Sequence, residues 1–70
     1  MIVSGEFEKV YDTVYPLLYK IAYRITGDTD ISDDLCQEAF IRYYNRVIPL
    51  PNLDQSKYWL IRVVKNLALN

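Results

Sequence analysis

The 70-residue chain has no histidine and one cysteine. Without histidine there is no imidazole for acid–base work or metal ligation near neutral pH. A lone Cys36 excludes an internal disulfide and fits a reducing compartment, so a cytoplasmic location is expected. Two glycines and three prolines are too few for a low-complexity or disordered chain, and no glycine-rich phosphate loop occurs. No apolar run approaches the roughly 20 residues that a membrane-spanning helix needs. The opening MIVSGEFEK lacks the basic and apolar stretches of a secretion signal. No nucleophile–base pair or cluster of metal ligands stands out, so the expectation is a binding protein and not an enzyme, with no cofactor and no metal.

What the chain does contain is enough apolar residue for one small core: 51% of the total. A domain of this length buries only about 60% of its unfolded surface, so its stability margin is narrow. The net charge of −1 conceals a division. Residues 1–41 hold three basic and eight acidic side chains, whereas residues 42–70 hold five basic and one acidic. Such a split points either to two partners of opposite charge or to ordinary scatter over solvated helix faces.

The apolar spacing predicts three amphipathic helices, hence an all-α three-helix bundle, or four helices if the first breaks at Pro16. In the first segment, about Glu6 to Ile25, Phe7, Val10, Tyr11, Val14, Leu18, Ile21, Ala22 and Ile25 recur at steps of three and four. Ser4 is its expected N-cap, with Glu6 and Glu8 at the positive end of the dipole. Pro16 points away from the stripe, and a kink or short break is expected there. Gly27 suits a left-handed C-cap and Asp30 the next N-cap. The second segment, about Ile31 to Arg46, turns Leu35, Cys36, Ala39, Phe40, Tyr43 and Val47 inward. Pro49 and Pro51 make residues 47–55 a joint. With Asp54 or Ser56 as cap, the third segment starts at Lys57 and buries Leu60, Val63, Val64, Leu67 and Ala68. Its pattern is still helical at Asn70, so residues 1–70 read as one domain of a longer protein.

The second segment contains Asp34-Leu35-Cys36-Gln37-Glu38-Ala39-Phe40, which resembles the D-L-x-Q-E-x-F signature of sigma-factor region 2. Upstream, Tyr15 to Tyr19 and Ala22 to Asp28 resemble the first helix and turn of the extracytoplasmic-function (ECF) group of these factors. Downstream, Trp59 to Ala68 resembles that group's promoter-recognition helix. The resemblance covers Phe7 to Asn70, with the motifs in order, and region 4 of the family has no counterpart in the chain. It implies a transcription initiation factor domain that binds core RNA polymerase and recognises and melts the minus-ten promoter element. The implied partners are the polymerase clamp coiled coil, the non-template single strand of promoter DNA, and an anti-sigma factor.

Read residue by residue, the outer face of the second segment carries Asp34, Gln37, Glu38, Ile41 and Asn45. An aliphatic side chain ringed by carboxylates is how docking patches are often built, although a solvated acidic face has the same spacing. The resemblance makes this the polymerase-binding face, its carboxylates meeting basic residues and Gln37 supplying amide hydrogen bonds. The outer face of the third segment carries Tyr58, Arg62, Lys65 and Leu69, flanked by Trp59 and Asn66. Cations interleaved with aromatics suit a nucleic-acid strand. Arg62 and Lys65 would take phosphates, and Tyr58 or Trp59 would stack on a base unless Trp59 is a core-edge residue. The resemblance also makes residues 48–56 the loop that receives a flipped minus-ten base. Asn52, Asp54, Gln55 and Ser56 are its polar candidates, and Leu50 and Leu53 its apolar ones. A proline-stiffened connector is the plainer alternative. Housekeeping relatives carry a tryptophan pair where this chain has Trp59-Leu60, which argues for weaker intrinsic melting. Tyr19, Lys20 and Tyr23 flank the first segment as partner surface or as scattered exposed residues. Cys36 points inward as an inert thiol. The competing function is a helical protein-interaction adaptor without DNA contact, which the pI of about 5.1 favours.

Overall fold

A computed structural model describes residues 5–46, 50 and 52–70, and for Glu6 the backbone only. Among the described residues there are three helices and no strand: α1 (Gly5–Thr26), α2 (Thr29–Asn45) and α3 (Leu53–Leu69). The expected three-helix bundle is what forms. The positions expected for Ser4 and Val47 lie outside the described residues, as do Pro49 and Pro51.

α1 runs unbroken through Pro16. A proline at this position removes one backbone donor and crowds the carbonyl of Asp12. Both residues are exposed, so the freed carbonyl can be hydrated. Val14 and Leu18, on either side, are fully buried, and their packing holds the helix together across the defect. A four-helix arrangement is therefore not adopted.

The core is a column of aliphatic side chains and Cys36 flanked by two aromatic rings. Val10, Val14, Leu18 and Ala22 of α1 meet Cys36, Ala39, Phe40 and Tyr43 of α2 and Leu60 and Val64 of α3. Around it lies an aromatic seam between α1 and α2. Phe7, Tyr11 and Tyr15, at four-residue steps, pack on Phe40 with ring centroids 4.8–6.2 Å apart. Contacts of this geometry add about 0.5–1.5 kcal/mol beyond the area they bury. Between α2 and α3 the corresponding contact is Tyr43 with Trp59, at 5.9 Å.

The turn from α1 to α2 is closed by side chains. Gly27 takes φ 68°, and its N–H reaches the Tyr23 carbonyl at 2.8 Å, which is the expected left-handed cap. The N-cap of α2 is Asp28, however, and not Asp30. The Asp28 carboxylate accepts from the Ile31 N–H at 2.9 Å. The buried Ser32 hydroxyl donates to the Asp28 carbonyl at 2.6 Å and lies 3.0 Å from Thr26 Oγ1. These bonds start the helix two residues earlier than Asp30 would. Asp30 sits instead in the first turn, where its charge still opposes the dipole.

α3 likewise begins four residues before the expected Lys57. Asn52 is its N-cap, accepting from the Gln55 N–H at 2.9 Å, so neither Asp54 nor Ser56 serves. An asparagine followed by an acid two residues later is a strong helix start. Leu53 to Ser56 are thus the first turn of α3 and not part of a loop.

Candidate functional site

The α2 outer face is as exposed as the periodicity predicts. Asp34, Gln37, Glu38, Ile41 and Asn45 all reach solvent, and Ile41 is 54% exposed. Glu38 also accepts from Arg42 Nε at 3.0 Å, one helical turn on. An exposed i,i+4 pair of this kind contributes about 0.3–0.5 kcal/mol, so it orients Glu38 without sequestering it.

Two α1 tyrosines reach into this face. The Gln37 amide donates to the Tyr11 hydroxyl at 3.1 Å, and the Tyr15 hydroxyl donates to the Asp33 carboxylate. Burial, followed by the bond to Asp33 and its charge, pushes the Tyr15 phenol above its ordinary pKa. Asp33 is thereby tied to α1, whereas Asp34 points into solvent. The four-residue repeat of Phe7, Tyr11 and Tyr15 was the available signal for this buttress.

On α3, Tyr58, Arg62, Lys65, Asn66 and Leu69 are exposed. The Lys57 ammonium lies 5.2 Å from the Tyr58 ring centre, which sets a further cation beside an aromatic on this face. Trp59 is half-buried against Tyr43, a core-edge position that leaves part of the indole open.

Between the start of α1, the end of α2 and the start of α3 lies a cavity of about 240 Å³ lined by Lys9, Val10, Tyr43, Arg46, Leu50, Asn52, Leu53 and Ser56. Among the described residues no acidic side chain lines it. The Arg46 guanidinium lies 3.8 Å from the Tyr43 ring centre and donates to the Tyr43 carbonyl. Its Nε is buried and has no hydrogen-bond partner among the described residues. Lys9 and Arg46 were missed in the sequence, being 37 positions apart, one on α1 and the other at the C-cap of α2. Of the polar residues expected around a flipped base, Asn52 lines the cavity, and among the described residues its amide N–H₂ has no hydrogen-bond partner. Asp54 and Gln55 are exposed outside the lining. Ser56 is 3% exposed, and its hydroxyl bonds the Tyr43 hydroxyl at 2.8 Å inside the bundle. That hydroxyl is committed to the fold and is not offered to a base.

Among the described residues, no group of three His, Cys, Asp or Glu side chains could hold a metal ion. No helix among them is long and apolar enough to cross a membrane. The arrangement is that of a small helical domain presenting an acidic face with an exposed isoleucine, a basic and aromatic face, and a cationic cavity. Comparison with protein families matches residues 10–70 to Sigma-70 region 2, and the chain belongs to that family. It is 28% identical over 64 residues to the ECF RNA polymerase sigma factor SigX of Bacillus subtilis, covering 91% of this chain and 33% of that protein. It is 30% identical over 64 residues to SigW of the same organism, again covering 91% of this chain and 34% of the relative. Over 53 residues, 76% of this chain, it is 36% identical to a probable ECF sigma factor SigI of Mycobacterium tuberculosis, of which it covers 18%. The chain thus spans about a third of the length of the first two relatives. No solved structure matches significantly.

Proposed function

We propose that this domain acts in transcription initiation, joining a sigma factor to core RNA polymerase and capturing the melted non-template strand of the minus-ten element. What carries the reading is the separation of two chemistries on one rigid core. The carboxylates surrounding Ile41 are on α2. Arg62 and Lys65, with Tyr58 beside them, are on α3. The family match and the relatives named as RNA polymerase sigma factors support pairing the first face with polymerase and the second with DNA.

In this reading α2 docks on the polymerase clamp coiled coil through Asp34, Gln37, Glu38, Ile41 and Asn45. Ile41 supplies the desolvated anchor, and the acids supply the charge-assisted hydrogen bonds around it. Arg62 and Lys65 neutralise phosphates, while Tyr58, the open edge of Trp59 and Asn66 meet bases. The cavity beneath Leu50, Asn52 and Leu53 takes the flipped base. Apolar side chains contact its faces, and Asn52 and Arg46 donate to its edge. Lys9 approaches the adjoining phosphate. Asp54 and Gln55, on the exposed first turn of α3, read the base next to the flipped one. An anti-sigma factor would act by covering these same faces.

The test is Glu38→Lys in a full-length sigma factor carrying this domain. A like-charge clash replaces an interface pair, and each tenfold loss in affinity corresponds to about 1.4 kcal/mol. Core-polymerase affinity should fall by about tenfold or more with helicity unchanged. Equal affinity of the two proteins would remove α2 from the interface.

A further inference from the structure

The second half of α1 carries a surface that neither partner above occupies. Four-residue spacing continues from Tyr15 to Tyr19 and Tyr23, but the chemistry changes along the helix. Tyr11 and Tyr15 are covered by Phe40 and engaged by Gln37 and Asp33. Tyr19 and Tyr23 stack on each other, 6.3 Å between centres and 6° from parallel, with one side of Tyr19 packed on the core. Among the described residues neither of their hydroxyls makes a hydrogen bond. Tyr23 is 46% exposed and Tyr19 half-buried.

Each tyrosine is followed by a cation, giving Tyr19-Lys20 and Tyr23-Arg24, and the four side chains line an open depression of about 540 Å³. From Pro16 to Gly27 the chain has these two cations and no acid. An acidic peptide would engage the cations and the tyrosine hydroxyls but leave the ring faces unused. Two parallel rings, Tyr23 open to solvent and Tyr19 half-buried beside it, with a positive charge next to each, fit an alternation of flat bases and phosphates. Every base has a π-face, so such a platform is tolerant of sequence. Neutralised phosphates make binding to it salt-sensitive.

We infer that Tyr19, Lys20, Tyr23 and Arg24 form a second contact for single-stranded nucleic acid, on α1 and separate from the α3 face. Bases stack on the two rings, and Lys20 and Arg24 hold the flanking phosphates. The site does not require the polymerase reading, because it is built on residues that reading leaves unused.

The test is an amide chemical-shift titration of the isotope-labelled chain carrying Arg62→Ala and Lys65→Ala, which silences the α3 face. The probes are an eight-nucleotide oligothymidylate and, separately, inorganic tripolyphosphate. The oligonucleotide should shift the amides of residues 19–24, and tripolyphosphate should shift them far less. Adding Tyr23→Leu, at an exposed position, should weaken oligonucleotide binding at least fivefold with the helical circular dichroism retained. Tyr19→Leu with Tyr23→Leu should abolish it. Equal shifts with tripolyphosphate would reduce the surface to a cation patch and overturn the assignment. Unchanged affinity in Tyr23→Leu would do the same. Shifts confined to α3 or the cavity would remove the α1 site while leaving the promoter reading standing. Shifts at residues 19–24 on adding core polymerase without nucleic acid would assign the surface to a protein partner instead.

Discussion

The bond between the Tyr43 and Ser56 hydroxyls tests how the cavity is built. It is 2.8 Å long, both residues are buried, and it ties the end of α2 to the first turn of α3. Tyr43→Phe removes one oxygen and keeps the ring, with its contacts to Phe7, Phe40 and Trp59 at 5.9–6.3 Å. What remains is a buried Ser56 hydroxyl without that partner, which costs about 1–3 kcal/mol. Ser56→Ala strands the phenol instead, at a similar cost. The double variant strands neither, so its destabilisation should be well below the sum of the two, with a coupling of about 1–2 kcal/mol. A 70-residue domain has roughly 4–10 kcal/mol in total, at about 0.05–0.15 kcal/mol per residue. Each single change should therefore be plain in urea unfolding followed by circular dichroism, and Tm should fall by about 4–8 °C per kcal/mol. Additive effects, or singles within about 0.5 kcal/mol of wild type, would show that the two hydroxyls do not depend on each other and that α3 is held at its start by other means.

Other consequences are simpler to check. Tyr11→Phe should weaken core-polymerase binding several-fold with unchanged stability, and should have no further effect once Gln37→Ala is present. An equal loss in both backgrounds would mean that Tyr11 does not act through Gln37. Burial, with the Asp33 charge as the smaller cause, pushes the Cys36 thiol up to about 11 from 9.0. The folded state therefore holds its proton more tightly, and the associated stability is complete below about pH 9 and lost as pH rises toward 11. Urea stability measured from pH 7 to 10.5 should fall more steeply in wild type than in Cys36→Ala, and parallel curves would show the thiol titrating normally. Arg62→Ala and Lys65→Ala in a full-length factor should weaken open complexes about equally on all promoters, because phosphate contacts position without reading sequence. A promoter-selective loss, measured on a library randomised across the minus-ten element, would make one of them a base reader.

Much of the bundle was legible because its information is local. Val10, Val14, Leu18 and Ala22 fall at four-residue steps, and all four are buried. Gly27 had to be the left-handed residue, being the only glycine near the end of the first stripe. The exact helix starts were not legible. Thr26-Gly27-Asp28-Thr29-Asp30 offers several competent caps, and the choice of Asp28 depends on Ser32 folding back from the next turn. At the second joint, Pro51 forbids a helix running into it but says nothing against one starting directly after. Reading Asn52 to Ser56 as loop extended the influence of the prolines too far. Ser56 looked like a polar loop residue, and its burial follows from a tyrosine 13 positions earlier.

The same limit governs the sites. The outer faces of α2 and α3 could be read because each lies on one helix, where spacing alone selects the residues. Tyr11 with Gln37, and Lys9 with Arg46 at the end of α2, are brought together from different parts of the bundle by how deeply the helices interdigitate. That register rests on side-chain volumes such as Phe40 between Tyr11 and Tyr15, and no periodicity within one segment encodes it. The charge split is coarse in the same way. An acidic first part and a basic second part suggested one partner for each, yet Lys20 and Arg24 are the only charged residues from Pro16 to Gly27. They lie beside two aligned tyrosines, on the helix that also buttresses the acidic face through Tyr11 and Tyr15. α1 thus changes role midway, from orienting the side chains of α2 to presenting its own. A count of charges along the chain could not show that, because it depends on which side chains of α1 the other helices cover.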